Sequence, residues 1–400
     1  MEKTVCELFA GVGGFRLGLE KASADWHTVW FSQWEPGAKK QWAHDCYVQH
    51  WGDVDENTGK DIALVNKNTI PNHNLLVGGF PCQDYSVARP LPGATGIEGK
   101  KGVLWWQIVE TVEAKHPPFI LLENVDRLLK SPASQRGRDF GVMLSCLNNL
   151  GYSVEWRVIN AAEYGAAQRR RRVFIFAYKN TTRYASETAP LEGKDIISKK
   201  GFFAKTFPIE PVETFSTLKM ETENVWEISE SFKFAFENAG FMRNGEVTTT
   251  KVTPIYEPPI PLAKIVDTNV PEEFYLGENL EKWKFLKGAK KLLRTSKTGH
   301  QYNYAEGAIA FPDPLDSPAR TMLTSEASVN RSTHVIEDPQ TKQLRLITPR
   351  EAERIQGFED DWTNTGMTKR MRYFCMGNAL VVPMITRMGN TLNEIFSKEE

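Results

Sequence analysis

No apolar run in this sequence approaches the roughly 18 residues that a membrane-spanning helix requires. The strongest, Phe119-Ile120-Leu121-Leu122, stops at Glu123, so no membrane contact is expected. The opening Met1-Glu2-Lys3-Thr4-Val5-Cys6-Glu7 has acids where a signal peptide would be basic and then continuously apolar, so no export signal is expected. Cysteine is scarce. Cys6, Cys46, Cys82, Cys146 and Cys375 are an odd, scattered set with no C-x-x-C pair. That argues against a disulfide framework and a zinc site, and points to a reducing, cytoplasmic compartment. Net charge is nearly missing too, with Lys+Arg 49 against Asp+Glu 50. A polycation that holds nucleic acid by bulk charge is excluded, and any such binding must use local patches. Internal repeats and low-complexity tracts are absent.

What is there is an ordinary globular balance, 41% hydrophobic and 25% charged, over 400 residues. That length exceeds one comfortable core and predicts two domains, or one large domain carrying an insert. The first third alternates short apolar runs with amphipathic stretches, the pattern of parallel strands joined by crossover helices. Strands are expected at Thr4–Phe9, Thr28–Trp34, Leu75–Gly78, Phe119–Glu123, Ser153–Ile159 and Val173–Tyr178, with helices around 16–23, 37–49, 103–115 and 139–150. The fold class that follows is α/β, a doubly wound, mostly parallel sheet. From Asn180 to about Arg345 periodicity fades and Thr, Pro, Lys and Glu accumulate, which reads as a loop-rich module. Val381, Met384, Ile385, Met388, Leu392 and Ile395 then fall at helical intervals and give one apolar face that must pack on the first domain. The expected division is therefore 1–180 with 346–400 as one domain and 181–345 as a smaller inserted one.

Gly11-Val12-Gly13-Gly14 lies between an apolar strand and Phe15-Arg16-Leu17, a tight strand-to-helix turn that lets backbone approach a ligand or merely lets the two elements pack. The dinucleotide pattern G-x-G-x-x-G fails at Arg16, which favours a smaller nucleoside cofactor over a pyrophosphate. Glu35, at the end of the second expected strand, and Asp61, at the next, stand where acids accept hydrogen bonds from ribose hydroxyls. Gly78-Gly79-Phe80-Pro81-Cys82-Gln83-Asp84-Tyr85-Ser86 puts a cysteine on an exposed loop just past a strand, where a thiol can act as a nucleophile. Glu123 ends an apolar strand at the same edge, and burial there favours the protonated carboxyl of a general acid. In Gln168-Arg169-Arg170-Arg171-Arg172, alternate arginines should face opposite sides, Arg170 and Arg172 one way and Arg169 and Arg171 the other. Lys282, Lys284, Lys287, Lys290, Lys291, Arg294 and Lys297 form a dense basic stretch, either a phosphate-binding surface or a solvated face with Trp283, Leu286 and Leu293 turned inward.

Taken in order, Phe9-Ala10-Gly11-Val12-Gly13-Gly14, Gly79-Phe80-Pro81-Cys82-Gln83, Glu123-Asn124-Val125, Gln168 to Arg172 and Gly377-Asn378 give a sequence that resembles the DNA (cytosine-5)-methyltransferases, in particular their bacterial restriction-modification members. The resemblance spans residues 4–179 and about 346–395. It implies a Rossmann-like methyltransferase fold whose variable middle is a target recognition domain. It also implies methyl transfer from S-adenosylmethionine, leaving S-adenosylhomocysteine, to carbon 5 of a flipped-out cytosine in double-stranded DNA, through a covalent Cys82 adduct. Cys82, Glu123 and Arg172 would work on the base with Arg170 in support. Phe9, Ala10, Gly11, Gly13, Gly14, Glu35, Asp61, Ile62, Pro81, Leu104, Asn378 and Ala379 would enclose the cofactor. Gln83, Ser86, Arg320 and Thr321 would touch DNA; Arg320-Thr321-Met322 looks like the family's Thr-Leu signature with Met in the Leu position. Arg350 to Arg354 with Gln356-Gly357-Phe358 looks like the late helix that supports the recognition domain. A bacterial, cytoplasmic monomer without metal, paired in function with a restriction endonuclease, is the expected setting. The competing readings are a tRNA cytosine-5 methyltransferase of the same family, a nicotinamide-dependent oxidoreductase and a non-enzymatic DNA-binding relative; the last would be expected to lose Cys82 or Glu123, and both are present.

Overall fold

Apolar runs of five to nine residues become strands wherever a helix follows to cover them. The computed structural model describes residues 1–80, 103–132, 135–220, 232–295 and 299–400. Strands β1 (Thr4–Leu8), β2 (His27–Phe31), β3 (Leu75–Gly79) and β4 (Phe119–Val125) lie parallel in the order β2-β1-β3-β4. Helices α1 (Gly14–Ala22), α2 (Trp42–Trp51) and α3 (Val103–Lys115) fall between them in sequence, and α4 (Arg138–Asn149) precedes β5 (Tyr152–Asn160). Strands covered on both faces read as continuous apolar sequence, and Phe119, Ile120, Leu121 and Leu122 are all fully buried. Helix α2 starts later than its periodicity predicts. Gln41 closes a loop ahead of it, accepting from the Glu35 N–H at 2.7 Å and donating to the Glu35 carbonyl at 3.0 Å.

Strand β6 (Arg171–Lys179) enters between β4 and β5 and runs antiparallel to both. Beyond β5 the sheet continues through β8 (Ala239–Arg243), β9 (Glu246–Thr250) and β7 (Ser216–Lys219), each antiparallel to its neighbour. Among the described residues the sheet has nine strands, in the order β2-β1-β3-β4-β6-β5-β8-β9-β7. Following the pairings across it, β1 to β5 and β9 point one way and β6, β7 and β8 the other. The sheet is mixed, with most strands in one direction.

The chain divides into two compact units: 1–164 with 171–257 and 382–400, and 165–170 with 258–381. These borders differ from those expected at 180 and 345. Residues 181–257 extend the main sheet, because β5 would otherwise show a free hydrogen-bonding edge and Trp156 Nε1 needs the Glu237 carbonyl, which it reaches at 3.1 Å. Residues 346–381, expected with the first domain, belong to the second unit. There the fully buried Arg345 bonds Asp338 at 2.7 Å and Glu351 at 2.8 Å, tying β13 (Leu344–Leu346) to the helix Pro349–Gln356. Thr348 and Glu351 close a capping box at that helix. The rest of the second unit is loop-rich, with two small hairpins, β10 (Lys290–Thr295) with β11 (Gln301–Glu306) and β12 (Val335–Glu337) with β13. Trp283, on the helix Leu280–Lys287, is buried with Leu276 and Val335 in its core.

The C-terminal helix Val382–Phe396 returns to the first unit, as its apolar face requires, and packs on α1. The contact is tight: a methyl group on Gly18 would sit 2.5 Å from Ile385 Cβ and 3.1 Å from the Val382 carbonyl oxygen. Gly18→Ala should therefore destabilise the protein by about 1–3 kcal/mol through overpacking, despite the better helix propensity of alanine. An unchanged urea midpoint would show that the two helices can separate freely.

One core residue is an acid. Glu7, on β1, is fully buried and accepts a hydrogen bond from the Tyr47 hydroxyl at 3.0 Å, while its Oε1 has no hydrogen-bond partner among the described residues. Burial pushes its pKa from 4.5 up to about 8, against the opposing pull of Tyr47 and Arg16. The folded state therefore holds a proton that the unfolded chain releases, so the associated stability is fully present below about pH 4.5 and is lost as pH rises through about 8. Glu7→Gln should match the parent protein near pH 5 and exceed it by on the order of a few kcal/mol near pH 9, by urea unfolding. A difference that stays constant across this range would show that Glu7 is ionised in the fold.

Candidate active site and cofactor turn

The end of β1 builds the first part of the site. Phe9 (φ 56), Gly11 (φ 57) and Gly13 (φ 86) all have left-handed backbone, so the chain reverses sharply into α1. The turn is pinned from β2: the Ala10 N–H donates to the Ser32 carbonyl at 2.9 Å, and the Gly11 N–H to Gln33 Oε1 at 2.7 Å. Gly13 must be glycine for a second reason. A Cβ there would lie 2.2 Å from the Trp51 ring and 3.2 Å from Tyr47, both of which pack beneath the turn. At Gly11 a Cβ would meet nothing within 4 Å among the described residues, which leave the turn open on that side. Among the described residues no side chain caps α1, whose first-turn N–H groups add favourable dipoles for a polar ligand. Arg16, which breaks the dinucleotide pattern, bonds Glu20 at 2.8 Å and lies over the Trp51 ring, 4.7 Å from its centroid.

The two acids expected near ribose differ. Glu35 lies four residues past the end of β2; its backbone is fixed by Gln41, while its half-buried carboxyl holds no hydrogen bond or ion pair among the described residues. Burial raises its pKa. Such a carboxyl gains by accepting hydroxyl donors. Asp61 is not at a strand end: it caps the short turn Ile62–Leu64, accepting from the Ala63 N–H at 3.0 Å, well before β3 begins. Ile62 is buried behind it. Leu104, on the first turn of α3, is half-buried against the main core.

The second part of the site is the carboxyl end of β4. Glu123 pairs with Arg172 Nε at 2.7 Å, both side chains mostly shielded from solvent. The pairing follows from register: β6 runs antiparallel to β4, with Val125 opposite Arg172. Glu123 also lies opposite Gly79 on β3, where a Cβ would sit 3.2 Å from the carboxylate. Next to it, the Asn124 amide donates to the Phe80 carbonyl at 3.0 Å, anchoring the chain just before Pro81. Pro81, Cys82, Gln83 and Ser86 lie outside the described residues. Of the other cysteines, Cys6, Cys46, Cys146 and Cys375 are all buried.

The expected alternation of the arginine run is present: Arg169 and Arg171 are exposed, Arg172 is half-buried and Arg170 is buried. Arg171 pairs with Asp126 at the surface, at 3.1 Å. Arg170 belongs to the second unit, where its two terminal nitrogens donate to the Met322 and Gly377 carbonyls, each at 2.9 Å. It is a brace joining the Thr321 segment to the end of the helix Lys369–Asn378, which carries Asn378 and leads into Ala379. Gln168 joins the same brace, accepting from the Met322 N–H at 3.0 Å. Thr321 donates to the Arg169 carbonyl at 2.5 Å. Arg320, expected on DNA, turns inward: it grips Asp313 at 2.5 and 3.1 Å and donates to the Ser332 carbonyl at 3.0 Å.

The basic stretch separates into unlike environments. Lys287 is buried against the Thr333 carbonyl, its pKa lowered to about 8 by burial and by the nearby Arg320. Lys290 pairs with Glu306 at 3.1 Å and Lys284 with Glu281 at 2.7 Å. Lys282, Lys291 and Arg294 are exposed, and Lys297 lies outside the described residues. Trp283 faces inward as expected, whereas Leu293 is 65% exposed. Glu7, Gln33, Tyr47 and Trp51 join the site without a motif to mark them, although an acid inside the apolar strand Thr4–Leu8 is a visible signal for Glu7.

The model of the family described as C-5 cytosine-specific DNA methylase matches residues 3–394. The chain is 53% identical over 401 residues to the Type II methyltransferase M.Sau3AI of Staphylococcus aureus, covering 98% of this chain and 96% of that protein. It is 34% identical to the Type II methyltransferase M.HhaI of Haemophilus parahaemolyticus over 174 residues, 44% of this chain and 48% of the relative. Among solved structures, the Dnmt2 methyltransferase of S. pombe has the same fold, with a TM-score of 0.59 at 15% identity over 98% of both chains. The methyltransferase EhMeth of Entamoeba histolytica gives 0.57 at 16% identity, also over 98% of both. With the glycine turn, the Glu123–Arg172 pair and a family match over nearly its whole length, this chain belongs to the C-5 cytosine-specific DNA methylases.

Proposed function

We propose that Cys82, Glu123 and Arg172 carry out the reaction of this family, methyl transfer to carbon 5 of cytosine in DNA. The observation that supports these roles is the Glu123–Arg172 pair at 2.7 Å, held at a sheet edge next to Phe80, two residues before Cys82. Carbon 5 of cytosine is a poor nucleophile. The Cys82 thiolate adds to carbon 6, forming a C–S bond and pushing the ring electrons toward carbon 5, while the Glu123 carboxyl hydrogen-bonds or protonates N3. Arg172 holds Glu123 in place and offers its remaining N–H groups to the ring oxygen, where preorganised donors stabilise developing charge. Once carbon 5 carries the methyl group, loss of its proton to a base and expulsion of the Cys82 sulfur restore the aromatic ring.

S-adenosylmethionine supplies an electrophilic methyl group on a sulfonium. The residues present fit it: the open face at Gly11, the uncapped start of α1 and the unpartnered carboxyl of Glu35 are suited to a nucleoside carrying an amino-acid chain. Phe9, Ala10, Gly13, Gly14, Ile62, Pro81, Leu104, Asn378 and Ala379 complete the proposed set, with Asp61 accepting through whichever oxygen is not capping Ala63. Because a stacked cytosine cannot present carbon 6 to a thiol, the nucleotide is flipped out of the duplex at a cost of about a few kcal/mol. Target recognition falls to the second compact unit, Thr321 included. In this reading Arg170 is a positioning brace and Arg320 a structural one. No helix of the described residues is long and apolar enough to cross a membrane. The proposed setting is a bacterial cytoplasm, where the chain acts as a monomer and protects host DNA from a cognate endonuclease without touching it.

Cys82→Ser should abolish turnover on duplex DNA while retaining DNA binding, and the parent protein should become covalently trapped on DNA containing 5-fluorocytosine. Glu123→Gln should lower kcat by about 10²–10⁴. Tritium transfer from labelled S-adenosylmethionine, with tRNA as the comparison substrate, reads these outcomes. Appreciable methylation by the serine variant would remove Cys82 from its role.

A further inference from the structure

The second unit carries a two-stranded ribbon whose faces are unlike. In the register of β10 and β11, Lys290 lies opposite Glu306, Leu292 opposite Tyr304 and Arg294 opposite Tyr302. This face is bound to itself: Lys290 pairs with Glu306 at 3.1 Å, and the Arg294 guanidinium lies 3.8 Å from the Tyr304 ring centroid. Arg331 fixes the base of the ribbon, donating to the carbonyls of Leu286, Gly288 and Gly307. The other face presents Lys291, Leu293, Thr295, Gln301 and Asn303, all exposed. None of its four polar side chains has a hydrogen bond or ion pair among the described residues. Leu293, directly opposite Asn303, is 65% exposed.

We infer that this outward face of the β10–β11 ribbon enters the major groove of the DNA substrate and reads base edges, with Gln301 and Asn303 as the specificity-determining residues. The inference rests on the reading that the second unit handles target recognition. Three properties of the face support it. A two-stranded ribbon fits the width of the major groove, and the amides of Gln and Asn match the paired donor and acceptor of adenine there. Leu293, on the neighbouring strand opposite Asn303, offers an apolar surface of the kind that contacts a thymine methyl. Lys291 and the exposed Arg294 give the ribbon a positive charge complementary to phosphate, whereas the acid beside them, Glu306, is neutralised by Lys290. Self-packing of the inner face makes the reading face rigid before DNA arrives. Residues 296–298 lie outside the described residues.

The test is methylation of a duplex pool with randomised sites, read by bisulfite sequencing, for the parent protein and for Gln301→Ala, Asn303→Ala and Lys291→Gln. Each amide variant should lose roughly 10- to 100-fold discrimination at one base pair and keep it at the others. Lys291→Gln should weaken all sites alike and reduce the slope of log affinity against log salt by about 1. Gln301→Glu, which accepts where the amide donates, should shift the preferred base rather than erase preference, so a poorly folding alanine variant leaves the inference testable. Unchanged site preference in both amide variants overturns it, as does a change confined to solution mass, which would mark the face as a contact between copies. If the parent protein methylates no site, the catalytic reading fails instead, and the two failures are distinguishable.

Discussion

The inversion of one strand is the constraint on which the candidate active site depends. Had β6 followed β4 in parallel, its final residues would lie beside the carboxyl end of β4 and its opening arginines at the far edge. Running antiparallel, β6 begins there, with Arg172 opposite Val125 and within 2.7 Å of Glu123. An arginine run at the start of a strand thus becomes a partner for an acid at the end of another, roughly fifty residues earlier in the chain. Both side chains are largely shielded from solvent, so removing either leaves the other charge poorly solvated. The same inversion lets β5 and the strands beyond it extend the sheet in alternating directions.

The run Gln168 to Arg172 shows how much work a short segment can divide. Arg170 and Arg172 are separated by one residue and belong to different compact units. One joins two backbone segments through the Met322 and Gly377 carbonyls; the other holds the carboxyl proposed to act on the base. Arg171 between them makes a surface pair with Asp126 and Arg169 is exposed. Alternation along the chain, a property of extended backbone, separates the two kinds of arginine, and the partner each meets decides its role.

Much of this was legible in the sequence, for physical reasons that can be named. The strands of the first unit were visible because burial on both faces demands unbroken apolar runs, and the glycine turn because left-handed backbone leaves few alternatives to glycine. The strands β7, β8 and β9 are hidden: they are only four or five residues long, and they owe their existence to the open edge of β5 rather than to their own propensity. Asp61 was assigned to a strand end because an acid before an apolar residue reads alike at a strand terminus and at a helix cap. The basic stretch was read as one feature, although Lys287 is desolvated against a carbonyl, Lys290 is paired and Lys291 is bathed in solvent. Composition reports charge and not whether charge is available. The proposed role of Cys82 rests on its place just past a strand and on its motif, and the residue itself lies outside the described ones.

Glu7 and Glu123 make the same point for carboxyls. Both lie on parallel strands of one sheet, separated by β3. Glu7 is fully buried, with a tyrosine hydroxyl as its hydrogen-bond partner, and desolvation leaves it protonated near neutral pH. Glu123 is at the strand's end, where the neighbouring strand supplies a guanidinium. Desolvation that outweighs the pull of Tyr47 and Arg16 makes Glu7 a structural hydrogen-bonding group, whereas Glu123, near the end of its strand, meets a guanidinium directly. The sheet therefore separates its desolvated acid from its ion-paired acid by position along the strand. At the carboxyl end of β4, β3 lies on one side with Gly79 opposite Glu123, and β6 brings Arg172 on the other.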